Sequence, residues 1–172
     1  MLYDKDSFEK KFSEWEKKLD AHNLPCWEEL PVFELYMDQV IVLVNGYLKI
    51  LEGDDERVLT PSMINNYVKL KTLPAPVKKR YSRVHLAYLI MICVLKQSLS
   101  ISMIQKILPI DELGGNVSEI YNAFVKMQND VFHQVTDRVR ERYQNAEFSD
   151  KLFMEYAINA NVYNIIAEKL GK

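Results

Sequence analysis

The sequence predicts an all-α protein, and three observations support this fold class. Hydrophobic residues make up 48% of the 172 residues and charged residues only 27%, so the chain can bury a sizeable core. Five glycines and six prolines are too few for a turn-rich sandwich or barrel. Apolar side chains recur every three or four residues through most of the chain, as they do on one face of an α-helix. We therefore expect one helical core with additional N-terminal and C-terminal helices.

The first predicted element is an amphipathic helix over residues 6–20. Its apolar stripe comprises Phe8, Phe12, Trp15 and Leu19. Pro25 and Pro31 then bracket a short irregular connection. We assign residues 1–24 to this N-terminal helix.

A strongly apolar segment over residues 32–51 is the second element. Its β-branched run at residues 40–42 is compatible with a strand. No turn signal or partner strand accompanies that run, so we predict a helix.

A short helix is predicted over residues 61–71. Thr60 is a suitable N-cap because its hydroxyl can accept a bond from a free N–H of the first turn. Pro61 fits the first helical position, which has no use for an N–H. The prolines within residues 73–76 must end this helix, whose inward side chains are Met63, Ile64, Tyr67 and Val68.

A basic arm and two further helices complete the central region. Residues 77–81 form an extended arm or turn, and Ser82 caps a helix that ends near residue 97. Its most apolar part, residues 86–95, is about half as long as a membrane span, so we predict a buried core helix and no membrane partner. A short helix follows Ser100 and stops at residue 109.

Two helices are predicted within residues 116–172. Asn116 and Glu119 form a start similar to a capping box. A heptad seam suited to a helical partner follows, with Val117, Ile120, Phe124, Met127 and Val131. Ser149 caps the last helix, whose packing face is Leu152, Phe153, Tyr156, Ala160, Tyr163, Ile166 and Leu170. We interpret this region as a dimerisation or effector-binding segment, with an unidentified small molecule as the candidate effector.

The charges are unevenly distributed along the chain. No Asp or Glu occurs over residues 57–110, the basic block, which carries nine Lys and Arg residues and a local charge of +9. The segments before and after it carry −8 and −3. Such a polarised distribution attracts polyanions to one region of the surface. A solvated lysine-rich loop is the alternative interpretation.

The order of helix, short capped helix, basic arm and apolar helix is that of a winged helix-turn-helix. The second helix of such a pair lies in the major groove of DNA, where its early residues contact base edges. Asparagine is a poor residue for a helix interior, but it can form two hydrogen bonds with adenine. We therefore expect Ser62, Asn65 and Asn66 to face bases. Tolerance of two asparagines by a short, well-capped helix is the alternative.

The cations around this helix are candidate phosphate ligands, which would position the protein without reading sequence. They are Lys69, Lys71, Lys78, Lys79, Arg80 and Arg83. If all six neutralise a phosphate, the logarithm of affinity falls against the logarithm of salt with a slope near −5, about 0.9 per phosphate. Tyr67 and Tyr81 are expected to brace the recognition helix and the wing.

The run LTPSMINNYVK at residues 59–69, with Pro76, Tyr81, Leu86 and the segment 99–101, resembles the DNA-binding head of MerR-type regulators. The chain is more similar still to a bacterial family known as domain of unknown function number 1836. The runs LTPSMINNYVKLK and PVKKRYSRVHLAYLI carry that similarity. The resemblance implies a MerR-like winged helix-turn-helix domain over residues 25–112. It also implies a transcription regulator that binds duplex DNA through this region. We expect the regulator to be a homodimer joined through the C-terminal helices.

Three positions depart from the MerR-type pattern. Asn65 and Asn66 stand where that family usually has an arginine and the first of two tyrosines. Lys71 stands where that family has a glycine after the recognition helix. The cysteines of its metal-sensing members are also missing.

The sequence offers no recognisable catalytic motif. It has no phosphate-binding glycine loop, zinc-binding helix or nucleophile elbow. The histidines are widely spaced, and we expect His85 on a helix surface or beside a phosphate. Cys93 is expected to be a small buried hydrophobe. We expect no enzyme activity, no cofactor and no metal.

Two functions remain open at this point. The first is a cytoplasmic DNA-binding regulator, the compartment being inferred from the charged N-terminus, which lacks a secretory signal. The alternative is a helical protein-interaction module without DNA binding, whose basic block meets an acidic partner.

Overall fold

The computed structural model describes residues 5–20, 22–52, 57–108, 116–144 and 150–171. In these ranges the backbone forms α-helices, short 3-10 turns at Trp27–Glu29 and Lys49–Leu51, and two isolated β-bridges. The predicted all-α fold class is confirmed. The helices are α1 (Lys5–Asp20), α2 (Met37–Tyr47), α3 (Pro61–Lys69), α4 (Arg83–Leu95), α5 (Ile101–Ile107), α6 (Val117–Gln144) and α7 (Asp150–Leu170).

The apolar segment before residue 51 is helical, as predicted, although α2 is shorter than the segment itself. Val40, Ile41 and Val44 face the core, whereas Val42 is 75% exposed. Burial at spacings of three and four residues is the signature of a helix face. The β-branched run therefore follows helical rather than strand periodicity.

Helix α4 forms the centre of the core. Every residue from His85 to Cys93 is buried, as expected for a helix that is apolar on all sides. The predicted core helix is therefore confirmed, and so is the buried role of Cys93, which is 1% exposed. Helices α2, α3, α5 and the first part of α6 surround it.

Side chains of α6 hydrogen-bond to the main chain of the connection before α2 and hold this connection against α6. Asn129 accepts from the Leu24 N–H at 3.1 Å, and Asn122 accepts from the Trp27 N–H at 2.7 Å. Tyr121, which is fully buried, donates to the Pro25 carbonyl at 2.9 Å. Residues 24–27 therefore lie along α6 as one seam, which we call the linker seam.

The core extends into the region that the sequence assigned to a separate C-terminal segment. Tyr121 and Val125 of α6 belong to the same buried cluster as α4. Val117, Ile120 and Phe124 pack against this cluster, but Met127 and Val131 are 65% and 53% exposed. The heptad seam thus lies on the core in its first half and faces solvent in its second half.

The outer helices pack less tightly on the chain. In α1, Phe12 and Leu19 are buried and Trp15 is 42% exposed. In α7, Leu152 is buried, but most of the predicted packing face is exposed, including Tyr163 and Leu170. The described part of the chain therefore leaves most of this predicted packing face uncovered, in the region that the sequence assigned to dimerisation or effector binding. Ser149 and the side chains of Phe8 and Phe153 lie outside the described part of the structure.

Candidate nucleic-acid interface

The basic arm is a tight hairpin attached to the segment before α2. Leu35 and Tyr81 exchange two main-chain hydrogen bonds, each 2.9 Å long. Val77 pairs with Arg80, whose N–H donates to the Val77 carbonyl at 2.9 Å. Leu35 and Tyr81 face the core, so the turn at residues 78–79 projects outward as a wing.

Helix α3 begins as the sequence predicts. The Met63 N–H donates to Thr60 Oγ1 at 3.4 Å, with Pro61 in the first helical position. The helix ends at Lys69, two residues earlier than expected. Ile64 and Tyr67 are buried, while Ser62, Asn65 and Asn66 are exposed. The three residues predicted to face bases therefore lie on the open side of α3.

Asn45 of α2 fixes the approach to α3, a role that the sequence did not indicate. Its side chain accepts from the Leu59 N–H at 2.8 Å and donates to the Leu59 carbonyl at 3.0 Å. One amide thus satisfies both polar groups of a buried residue next to the N-cap. Nothing in the spacing of Asn45 and Leu59 pointed to this pair, because it depends on the angle between two helices.

Most of the predicted phosphate ligands are accessible. Lys69, Lys71, Lys78 and Lys79 are exposed, and the Arg80 guanidinium lies 4.0 Å from the centre of the Tyr36 ring. Among the described residues, the ion pairs involve Lys126, Arg140 and Arg142, and none involves a cation of the basic block.

Arg83 differs from the other predicted phosphate ligands. Its guanidinium donates to the carbonyls of Leu30 at 2.7 Å and Pro31 at 3.4 Å, and it lies 5.4 Å from the centre of the Trp27 ring. These contacts engage the side chain in holding residues 27–31 against α4. We therefore assign Arg83 to the scaffold rather than to the phosphate ligands.

A cleft separates α2 from α3 and the wing. Arg57 and Lys79 line it, and so does Asn65. Asp38, at the start of α2, also lines the cleft and places a carboxylate among these cations. Asp38 precedes the basic block in sequence, so charge patterning alone did not draw attention to it.

The two tyrosines predicted as braces are both 2% exposed. Burial raises the pKa of the Tyr67 hydroxyl to about 12. His85 is also buried, so its expected position on a surface is wrong. Its Nδ1 accepts from the Ser82 N–H at 3.0 Å, and its ring lies 5.4 Å from that of Tyr81. Burial lowers the pKa of His85, which keeps the imidazole neutral and able to accept.

Metal-ligating residue groups and helices of membrane-spanning character are both absent from the part of the chain that the structure describes. No group of three or more His, Cys, Asp or Glu residues there could hold a metal ion. None of the helices described is both long and apolar enough to cross a bilayer.

The fold and site thus define a helical protein with a polar helix face beside a basic hairpin. Residues 25–124 match the family model described as Domain of unknown function (DUF1836), and the chain belongs to this family. The match covers all the elements that form the cleft and ends within α6. No curated protein matches the chain. No solved structure matches it either.

Proposed function

We propose that the protein is a transcription regulator that binds duplex DNA through a MerR-like winged helix-turn-helix. The single observation that carries this proposal is the exposed polar face of α3 opposite the basic wing. Asn65 and Lys79 line the same cleft. Asn65 can therefore contact a base edge while Lys79 contacts a phosphate of the adjacent DNA backbone. The family membership adds no function of its own.

In this proposal α3 enters the major groove. Ser62, Asn65 and Asn66 face base edges, and asparagine is suited to adenine, to which it can form two hydrogen bonds. The wing and the C-terminal end of α3 contact phosphates through Lys69, Lys71, Lys78, Lys79 and Arg80. With Arg83 in the scaffold, five contacts predict a slope of about −4.5 for the logarithm of affinity against the logarithm of salt.

The test is a fluorescence-anisotropy titration of labelled duplexes at several salt concentrations. Replacing Lys78, Lys79 and Arg80 with alanine should weaken binding to all sequences alike and reduce the slope by about 3. Asn65→Ala should reduce the preference for the best sequence about tenfold and leave the slope unchanged. Ser13→Ala, at an exposed position of α1 outside both proposed interfaces, is the control. A flat salt response of the wild-type protein would reject the proposal.

We also propose that two copies associate through α6 and α7. Ten large apolar side chains of these helices are exposed by 45% to 84%, namely Met127, Val131, Val135, Met154, Ile158, Val162, Tyr163, Ile165, Ile166 and Leu170. A standard interface takes about 800 Å² from each partner, an area that ten large side chains exposed by about half or more can supply. Residues 156–167 of α7 carry no charge, so an equally apolar second copy is the occupant that fits.

The alternative function is a protein-interaction module without DNA binding. Val32 and Phe33, two adjacent apolar residues just before α2, are 81% and 69% exposed. Exposed apolar patches are typical of protein–protein interaction sites. Pull-down from a lysate with and without nuclease separates the two functions. Nuclease-sensitive capture supports DNA binding, and nuclease-resistant capture that Phe33→Ser abolishes supports the alternative.

A further inference from the structure

Three lysines share an unusual backbone conformation. Lys71, Lys78 and Lys79 have φ angles of 55°, 50° and 61°, and they are the non-glycine residues with positive φ in the described ranges. A side chain in this left-handed region brings Cβ close to the backbone, so glycine and asparagine normally occupy it. All three lysines lie in the basic block, and all three side chains are exposed.

The wing shows why its two lysines are unfavourable for the fold. Both central residues of the Val77–Arg80 turn have positive φ, and the Arg80 N–H donates to the Val77 carbonyl. This is a type I′ turn, for which Asn-Gly is the preferred pair. Lys-Lys is a poor choice on conformational grounds.

Lys71 occupies a comparable position at the end of α3. The Thr72 N–H donates to the Tyr67 carbonyl at 2.8 Å, and the Lys71 N–H donates to the Val68 carbonyl at 3.0 Å. These two bonds define a Schellman motif, whose left-handed residue is usually glycine.

Packing does not explain these three residues. Among the described residues, no hydrogen bond or ion pair involves their side chains. Glycine or asparagine would adopt the positive φ at each position with less strain. The property that lysine adds at these positions is its positive charge. Strained backbone retained at exposed positions is typical of functional sites.

We propose that Lys71, Lys78 and Lys79 are the principal phosphate anchors of the interface, kept as lysines at the expense of fold stability. The proposal rests on the proposed DNA-binding function and selects three of the nine cations of the basic block. Because a type I′ turn and a Schellman motif each fix the backbone, both hold the lysine Cα atoms in place before DNA arrives. Such preorganisation reduces the entropy lost on binding.

The test separates charge from strain with two matched sets of variants. Lys78→Asn with Lys79→Gly, and separately Lys71→Gly, remove the charge and relieve the backbone. Lys78→Gln with Lys79→Gln, and Lys71→Gln, remove the charge and retain the strained conformation. Lys96→Gln with Lys106→Gln removes two exposed charges of the same block from positions without positive φ.

The glycine and asparagine substitutions should raise Tm by about 2 to 4 °C for each residue whose backbone strain they relieve. The glutamine set should leave Tm within about 1 °C of the wild type, since surface substitutions change stability little. Both sets should weaken duplex binding about equally, each lost anchor reducing the salt slope by about 0.9. The Lys96 and Lys106 control should change neither quantity.

Three outcomes would overturn the inference while the DNA-binding function stands. They are an unchanged or lower Tm in the Asn-Gly variant, unchanged duplex binding in both sets, and equal weakening by the Lys96 and Lys106 control. Failure of the wild-type protein to bind any duplex would instead reject the proposed function itself.

Discussion

At the residue scale, asparagines of this protein divide into those that hold the backbone and those that face solvent. Asn45 satisfies both polar groups of Leu59, Asn129 accepts from the Leu24 N–H, and Asn122 accepts from the Trp27 N–H. Asn65 and Asn66 face outward from α3. The same residue type therefore supports stability at one position and is available for a ligand at another.

Replacing Asn45 should show the first role. Asn45→Ala leaves the N–H and carbonyl of buried Leu59 without partners, which should cost about 1–3 kcal/mol of unfolding free energy. Asn66→Ala, on the exposed face of α3, should change this free energy by less than about 0.5 kcal/mol. Urea denaturation followed by circular dichroism measures both. Equal effects of the two substitutions would contradict the assignment.

Two buried histidines predict a dependence of stability on pH. Burial lowers the pKa of His85 below its ordinary 6.5, and burial with the nearby His133 lowers that of His22. The unfolded chain then binds more protons than the folded chain below pH 6.5. The stability that the neutral imidazoles contribute is complete above pH 6.5 and is lost as the pH falls towards their folded pKa values.

Melting temperatures measured between pH 8 and pH 5 should therefore decline below about pH 6.5 in the wild type. His85→Gln keeps an acceptor for the Ser82 N–H but does not titrate, so its decline should be shallower. His22→Gln should have a similar effect. Parallel curves for the wild type and both variants would show that other groups cause the decline.

At the scale of elements, the sequence predicted most helices because their signals are local. Thr60 with Pro61, and Ser100 before α5, mark helix starts within one turn of the residues concerned. Contacts that join distant segments, such as Arg83 with Leu30 or Asn45 with Leu59, left no signal of this kind. The positive φ of Lys78 and Lys79 was also hidden, because neither glycine nor asparagine marks the turn.

Asp38, whose carboxylate is the one described in the lining of the cleft, should weaken the binding of DNA phosphates there. Asp38 lines the cleft with Arg57 and Lys79, so a phosphate bound there meets one repelling charge. Asp38→Asn should tighten duplex binding about two- to fivefold at low salt, and less at high salt where charges are screened. It should also cost up to about 1 kcal/mol of stability, because Asp38 lies in the first turn of α2.

Anisotropy titrations of Asp38→Asn at two salt concentrations test this effect. Asp130→Asn is the control, since it removes an equal charge from an ion pair with Lys126 on α6. Weaker binding by Asp38→Asn would instead indicate that this carboxylate accepts a hydrogen bond from a base.

At the scale of the whole molecule, α7 contacts its own chain mainly at its two ends. Near its start Leu152 is buried and Glu155 pairs with Arg142 of α6 at 2.8 Å. At its end Gly171 lies against Met103 of α5. The apolar stretch between these contacts is exposed, which the periodicity could not reveal because it does not say what covers a face.

Light scattering should give a mass of twice the 20.2 kDa of the chain. Ile158→Glu with Ile165→Glu places two charges in the proposed interface and should return the mass to that of one chain. Val32→Lys, an exposed apolar position before α2, should leave the mass unchanged. A wild-type mass of 20.2 kDa would exclude the dimer.

The linker seam affects which spacing between two DNA half-sites a dimer could bind. The linker seam fastens residues 24–27 to the 28-residue α6, and one buried cluster joins α3 and α4 to the first part of α6. A movement of α3 is therefore coupled to a movement of α6. In a dimer joined through α6 and α7, the two copies of α3 would therefore be held at a fixed separation and a fixed angle. Operators lengthened by one or two base pairs between half-sites should bind more weakly, since each pair rotates the second half-site by about a tenth of a turn.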